Sequence, residues 1–208
     1  MATNKTRDTE KSVSISRVEK FHPYKTLLFF GLLGSTIVFL TLTFLYLTTL
    51  SENVDAAKFQ FPKAFTLSAF LLLFSSYTIS KSLKAFKDDS FDQLLKSIIA
   101  TIVLSFAFCL TQFMGFKALN DAGYFSEFPT SSIYFLVITG IHLLYIVAGI
   151  IMLSYIAYKA YDQSQDMVDS LLYFSDKNQQ VKIEMTSVFW HFVDFVWLSL
   201  FLMFLFVF

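Results

Sequence analysis

Apolar and charged positions are segregated along this sequence rather than interleaved. Uncharged runs occupy positions 26–51, 64–80, 97–116 and 128–158, and a fifth, 185–208, is broken only by Asp194. A helix needs roughly 20 apolar residues to cross a bilayer, with about 17–25 tolerated. The pattern therefore predicts an all-α integral membrane protein, a five-helix transmembrane bundle with spans at about 25–50, 62–85, 96–117, 130–158 and 185–208. A polar tail, 1–24, precedes a single membrane domain, 25–208. Composition agrees: 55% of the 208 residues are hydrophobic and 19% aromatic. Only 15% are charged, against about 25% in a soluble domain.

The first apolar run starts after 24 polar residues and outlasts a signal-peptide core of about 7–15, so a retained anchor is expected. The tail reads as disordered or surface-lying, with His22 and Pro23 at the entry to the first helix. The single cysteine, Cys109, lies within a span and rules out a disulfide framework in one chain. With the N-terminus cytoplasmic, inside segments hold thirteen Lys and Arg and outside segments three, namely Lys58, Lys63 and Lys117. The positive-inside rule then places the C-terminus at the outer face.

The last span carries the most informative polar residues. Glu184, Ser187, His191 and Asp194 recur at helical spacing and form one stripe. An ionisable group at bilayer depth costs about 2.5–3.5 kcal/mol on insertion scales, so such residues face protein and find partners. The simplest partner for Asp194 is His191. A second stripe, Ser97, Thr101, Ser105, Cys109 and Gln112, follows the third span, and Thr139, His142, Ile146 and Gly149 share a face of the fourth. Ser75, Ser76 and Thr78 supply hydroxyls to the second span, which begins at Pro62. The first span carries Gly31, Gly34, Ser35, Thr36 and Thr43, small residues that let helices approach closely.

These residues admit three chemical readings. His142 and His191 lie at depths that differ by only about 6 Å at 1.5 Å per residue, so haem ligation between them is geometrically allowed. Three histidines, one of them in the tail, make a poor inventory for copper. Glu184, His191 and Asp194 also suggest a proton relay, but nothing from Leu198 to Phe208 continues it. The reading that explains most is structural: a polar network of Glu184, His191, Asp194, His142, Gln112, Ser75 and Ser76 that sets helix rotation and register. Gly31, Gly34, Gly140, Gly149, Trp190 and Trp197 are expected to serve helix packing. No nucleophile–base pair and no phosphate-cradling glycine loop is present, and no basic block interleaved with aromatics points to nucleic acid.

The wording of the last span resembles that of the haem–copper oxidase subunit III family. Glu184 stands seven residues before His191, within Trp190-His191-Phe192-Val193-Asp194 and followed by Trp197. Thr139-Gly140-Ile141-His142 with Gly149 is similar to the family's Thr-Gly-aromatic-His-Gly-x-His element, with Tyr145 in place of the second histidine. Ser75-Ser76-Tyr77-Thr78 and Gln112 are weaker matches. Two positions depart: Thr36 stands where the family carries an acidic residue, and Gly115-Phe116 replaces an acidic–aromatic pair.

Over residues 24–208 the resemblance implies a short, five-helix, bacterial-type subunit III of a cytochrome c oxidase. It implies a chain without catalytic residues, metal or cofactor of its own, beside haem and copper in partner subunits I and II. By resemblance it stabilises subunit I, binds phospholipid and supports proton uptake during aerobic respiration, in the inner (plasma) membrane of a bacterium; membership of a larger respiratory supercomplex is left open by the sequence. An accessory subunit of a quinol oxidase or nitric-oxide reductase is the nearest alternative. A di-histidine membrane cytochrome and a transporter are the others.

Overall fold

The computed structural model describes residues 23–51 and 61–207. The expectations for the tail with His22, and for Lys58, fall outside these residues. The chain divides into two compact units, a small one that ends at Ser35 and a larger one, Thr36–Phe208, that holds most of the bundle.

Seven helices and no strand are found among the described residues: α1 Pro23–Ser51, α2 Lys63–Lys87, α3 Phe91–Asp121, α4 Tyr124–Glu127, α5 Pro129–Gln163, α6 Met167–Ser175 and α7 Lys177–Val207. Five of them (α1, α2, α3, α5 and α7) are long and apolar enough to cross a membrane. The helices overrun the apolar windows, to 31 residues in α3 and 35 in α5. Their charged ends keep helical backbone bonds beyond the hydrocarbon, where side chains reach water. The connection over 118–131 is mostly helical: α3 runs on to Asp121, Gly123 turns the chain at φ +84°, and α4 adds one turn before Pro129 opens α5.

The α2–α3 turn is closed by its own backbone. Ser90 N–H donates to Ala85 O at 3.0 Å and Asp89 N–H to Phe86 O at 3.3 Å, the paired bonds that finish a helix around a left-handed residue. That residue is Asp89, at φ 49°. Ser90 then caps α3, accepting from Gln93 N–H.

Four helices of the larger unit form a ring in which α2 packs on α3, α3 on α5, α5 on α7 and α7 back on α2. The α2–α3 seam is the most extensive, and small side chains explain it. Ser68, Ser75 and Ser82 recur every seven residues on α2 and are fully buried, and α3 buries Ser97, Thr101 and Ser105. All six hydroxyls donate to a carbonyl of their own helix one turn back. Their low volume lets the two backbones approach, and their oxygens remain able to accept from other helices. Gly115 extends the seam, because a Cβ there would lie 2.6 Å from the Phe65 ring.

Toward the α2–α3 turn the core is aliphatic and aromatic, with Ile79, Phe86, Leu94, Leu153, Tyr173, Ile183 and Trp190 in one cluster. Toward the other end it is an aromatic plug. Tyr46 of α1 meets Tyr124 through their hydroxyls at 3.2 Å, and Phe135 packs on Phe65, Phe204 and Tyr124. Large apolar side chains such as Leu110, Phe113 and Phe195 point outward, as a surface facing lipid requires.

Candidate intramembrane polar site

The polar residues of α7 meet α2, and the meeting is built on spacing. On α2, Ser75 and Ser76 are adjacent and Ser80 follows Ser76 by one turn. On α7, Trp190, His191 and Asp194 fall on neighbouring faces. Trp190 Nε1–H donates to Ser75 Oγ at 3.0 Å, and Ser75 passes its own proton to Leu72 O at 2.8 Å. His191 lies between two hydroxyls, with Nδ1 2.8 Å from Ser76 Oγ and Nε2 3.2 Å from Ser80 Oγ.

The proton on this imidazole can be placed from the bonds around it. When Ser80 Oγ gives its hydrogen to Ser76 O, 2.8 Å away, it accepts from the ring. In that arrangement Nε2 carries the hydrogen, and Nδ1 receives that of Ser76 Oγ.

This corrects the expected pairing of His191 with Asp194. Side chains on a helix lean toward its N-terminus, which carries the long imidazole away from Asp194 and into the Ser76–Ser80 step. Asp194 is only 7% exposed, and its carboxyl faces the hydroxyls of Ser75 and Ser76. Among the described residues, neither carboxyl oxygen closes a hydrogen bond of ordinary length. Ser76 thus stands between the acid and the imidazole that were expected to touch.

The remaining network residues are distributed rather than joined. His142 of α5 reaches α7 through Nε2, 3.2 Å from Val193 O. A carbonyl can only accept, so this nitrogen bears the hydrogen, while Nδ1 is buried without a partner among the described residues. The ring is held by Trp197 at 5.0 Å and Phe108 at 5.7 Å, centroid to centroid. Gln112 Nε2 donates to Ser68 Oγ at 2.9 Å. Ser68 lies seven residues before Ser75, about 10 Å along α2. Glu184, on an earlier turn of α7, is half-buried. The hydroxyls of Thr78 and Thr101 meet at 2.7 Å, a second tie between α2 and α3.

Among the glycines expected at helix contacts, Gly149 is tightly packed: a Cβ there would come 2.5 Å from the Trp190 ring. Gly140 faces open space, so its small size serves no contact among the described residues. Gly31 and Gly34 belong to the smaller unit. Ser68, Ser80 and Gly115 were not among the residues expected to matter, yet they do. Their signals were present in the seven-residue spacing Ser68–Ser75–Ser82 and the one-turn spacing Ser76–Ser80. Thr36 borders an apolar cavity of about 130 Å³ together with Phe39, Thr43, Phe195 and Ser199.

A family profile described as "Cytochrome c oxidase subunit III" matches residues 54–208. The matched stretch contains α2 through α7 and omits α1, the helix that carries Thr36. The curated protein "Cytochrome c oxidase subunit 3" of Rhipicephalus sanguineus is 28% identical over 169 residues, covering 74% of this chain and 58% of that one. Its namesake from Yarrowia lipolytica is 31% identical over 138 residues, covering 66% and 47%. That from Artemia franciscana is 27% identical over 161 residues, covering 74% and 57%. The chain thus spans about half to three-fifths of the length of these relatives. With three-quarters of its residues matched, α7 and its polar groups included, the chain belongs to the cytochrome c oxidase subunit III family.

Proposed function

We propose that the chain is a non-redox subunit of a haem–copper terminal oxidase of the cytochrome c oxidase type, stabilising the catalytic subunit I. Haem and copper would reside in subunits I and II, and this chain would supply packing surface in the membrane. The observation that carries the reading is family membership combined with how the intramembrane histidines are used. His191 has both ring nitrogens engaged by serines of α2, and His142 spends Nε2 on the Val193 carbonyl. Groups committed in this way orient helices.

Bound phospholipid fits the same reading, because the outward aromatic surface and the apolar cavity beside Thr36 suit acyl chains. Support of proton uptake is a further extension of the reading, in which Thr36 offers a hydroxyl where the family resemblance leads one to expect a carboxyl. The membrane would be the one that houses the oxidase, in this reading the plasma membrane of a bacterium.

Affinity purification of the full chain from its native membranes tests the proposal. Co-purifying haem- and copper-bearing subunits that consume oxygen from reduced cytochrome c are expected. Isolation without them, or with a quinol- or nitric-oxide-consuming complex in their place, would overturn it.

A further inference from the structure

Helix α6 has two apolar sides, and only one is used. Tyr173 and Phe174 cover the end of the bundle at the α2–α3 turn. The Tyr173 ring lies 5.7 Å from Phe86 and 5.2 Å from Phe91, and Phe174 lies 4.4 Å from Phe91. On the opposite side Met167, Val168, Leu171 and Leu172 are 62–83% exposed. Their spacing, i, i+1, i+4 and i+5, gathers them into one stripe, the pattern of a helix that lays its apolar face into a groove.

Charge decides between a lipid surface and a protein as the occupant. Positions 162–176 contain Asp162, Asp166, Asp169 and Asp176 and no Lys, Arg or His. Two of these carboxylates are fixed at helix starts, Asp166 accepting from Val168 N–H and Asp176 from Asn178 N–H, each at 2.8 Å. A helix that lies in the bilayer interface carries Lys and Arg on its polar face. Each basic side chain near an anionic leaflet gains about 1 kcal/mol, and acidic ones are repelled. An apolar stripe on an acidic segment complements an apolar groove edged by bases.

We propose that α6 is a docking helix for a partner protein, received through Met167, Val168, Leu171 and Leu172 in an apolar groove rimmed by Lys or Arg. The inference goes beyond the proposed function and does not depend on which electron donor the complex uses.

The test is thiol accessibility at one exposed position. Leu171→Cys in a Cys109→Ser background of the full chain is labelled with a membrane-impermeant maleimide. Asn178→Cys, exposed but off the stripe, serves as the folding and access control. In the purified chain, in nanodiscs of neutral or anionic lipid, position 171 should label as fast as position 178. In opened native membranes it should label about tenfold more slowly, as a mostly occupied site requires. Washing with about 0.5 M KCl, which screens charges beyond a few ångströms, should restore the rate. Asp162→Lys/Asp169→Lys should restore it without salt. Slow labelling in nanodiscs would identify lipid or a second copy as the occupant and overturn the proposal. Equal rates in nanodiscs and native membranes would show an open surface and overturn it as well. Protection in native membranes that survives both salt and charge reversal would remove the basic rim from the argument and sink the partner as described.

Discussion

Trp190 sits over Gly149 so closely that a β-carbon added to the glycine would come within 2.5 Å of the indole ring. The same indole donates to Ser75 at 3.0 Å. One side chain of α7 is thereby pressed against α5 and hydrogen-bonded to α2, and it fixes the rotation of α7 between them. Gly149→Ala should cost about 1–3 kcal/mol, since the ring must move and abandon its bond. Gly140→Ala, which would meet nothing, should stay within about 0.5 kcal/mol of the parent. Thermal unfolding of both variants in detergent checks the contrast, and equal losses would contradict it.

Ser75→Ala should leave the indole N–H buried without an acceptor. Hydrogen bonds between transmembrane helices average about 0.6 kcal/mol and reach about 1.7, so a loss in that range is expected. Combining Ser75→Ala with Trp190→Phe should recover part of it, because donor and acceptor disappear together. A double-mutant cycle on the unfolding midpoint measures the coupling.

Asp89 holds a left-handed backbone conformation at φ 49°, which a glycine adopts without penalty. Asp89→Gly should stabilise the bundle by about 0.5–1 kcal/mol, because the α2–α3 turn keeps its two closing bonds. Asp89→Val should destabilise it. A rise in unfolding temperature for glycine and a fall for valine are the expected pair of results.

Burial pushes the Tyr173 phenol up to about 12, against about 10 in an unfolded chain. The folded state therefore holds this proton more tightly. The stability that Tyr173 contributes is complete below about pH 10 and is lost as the pH climbs through 12. The ultraviolet phenolate titration of the parent minus that of Tyr173→Phe should show one group with a midpoint near 12. A midpoint near 10 would mean that α6 does not cover the Phe86–Phe91 end of the bundle.

Under the proposed function, Asp194→Leu should lower the yield of assembled oxidase more than the turnover of each intact complex. Ser76 and Ser75 lose the carboxyl they face, while the redox centres lie in other chains. Quantitative co-purification alongside oxygen uptake per haem separates the two effects. Full assembly with abolished turnover would assign Asp194 a direct role in proton movement.

The five spans were legible in the sequence because lipid leaves few options. A helix that must satisfy its backbone internally and meet hydrocarbon outside writes itself as an uncharged run of sufficient length. The polar stripes of α3 and α7 were visible for the same reason: helical spacing survives in a list of residues. Which polar residue meets which was not legible. His191 and Asp194 are neighbours on a helix face, and from α7 alone they form a pair. The presence of α2 at that depth, with Ser76 and Ser80 one turn apart, draws the imidazole away. Likewise Gly140 and Gly149 look alike as letters, and only the position of Trp190 tells them apart. Periodicity along one helix determines which face carries polar or small groups. The neighbour that face receives depends on the rotation and register of a second helix, and those are set jointly by every contact in the bundle.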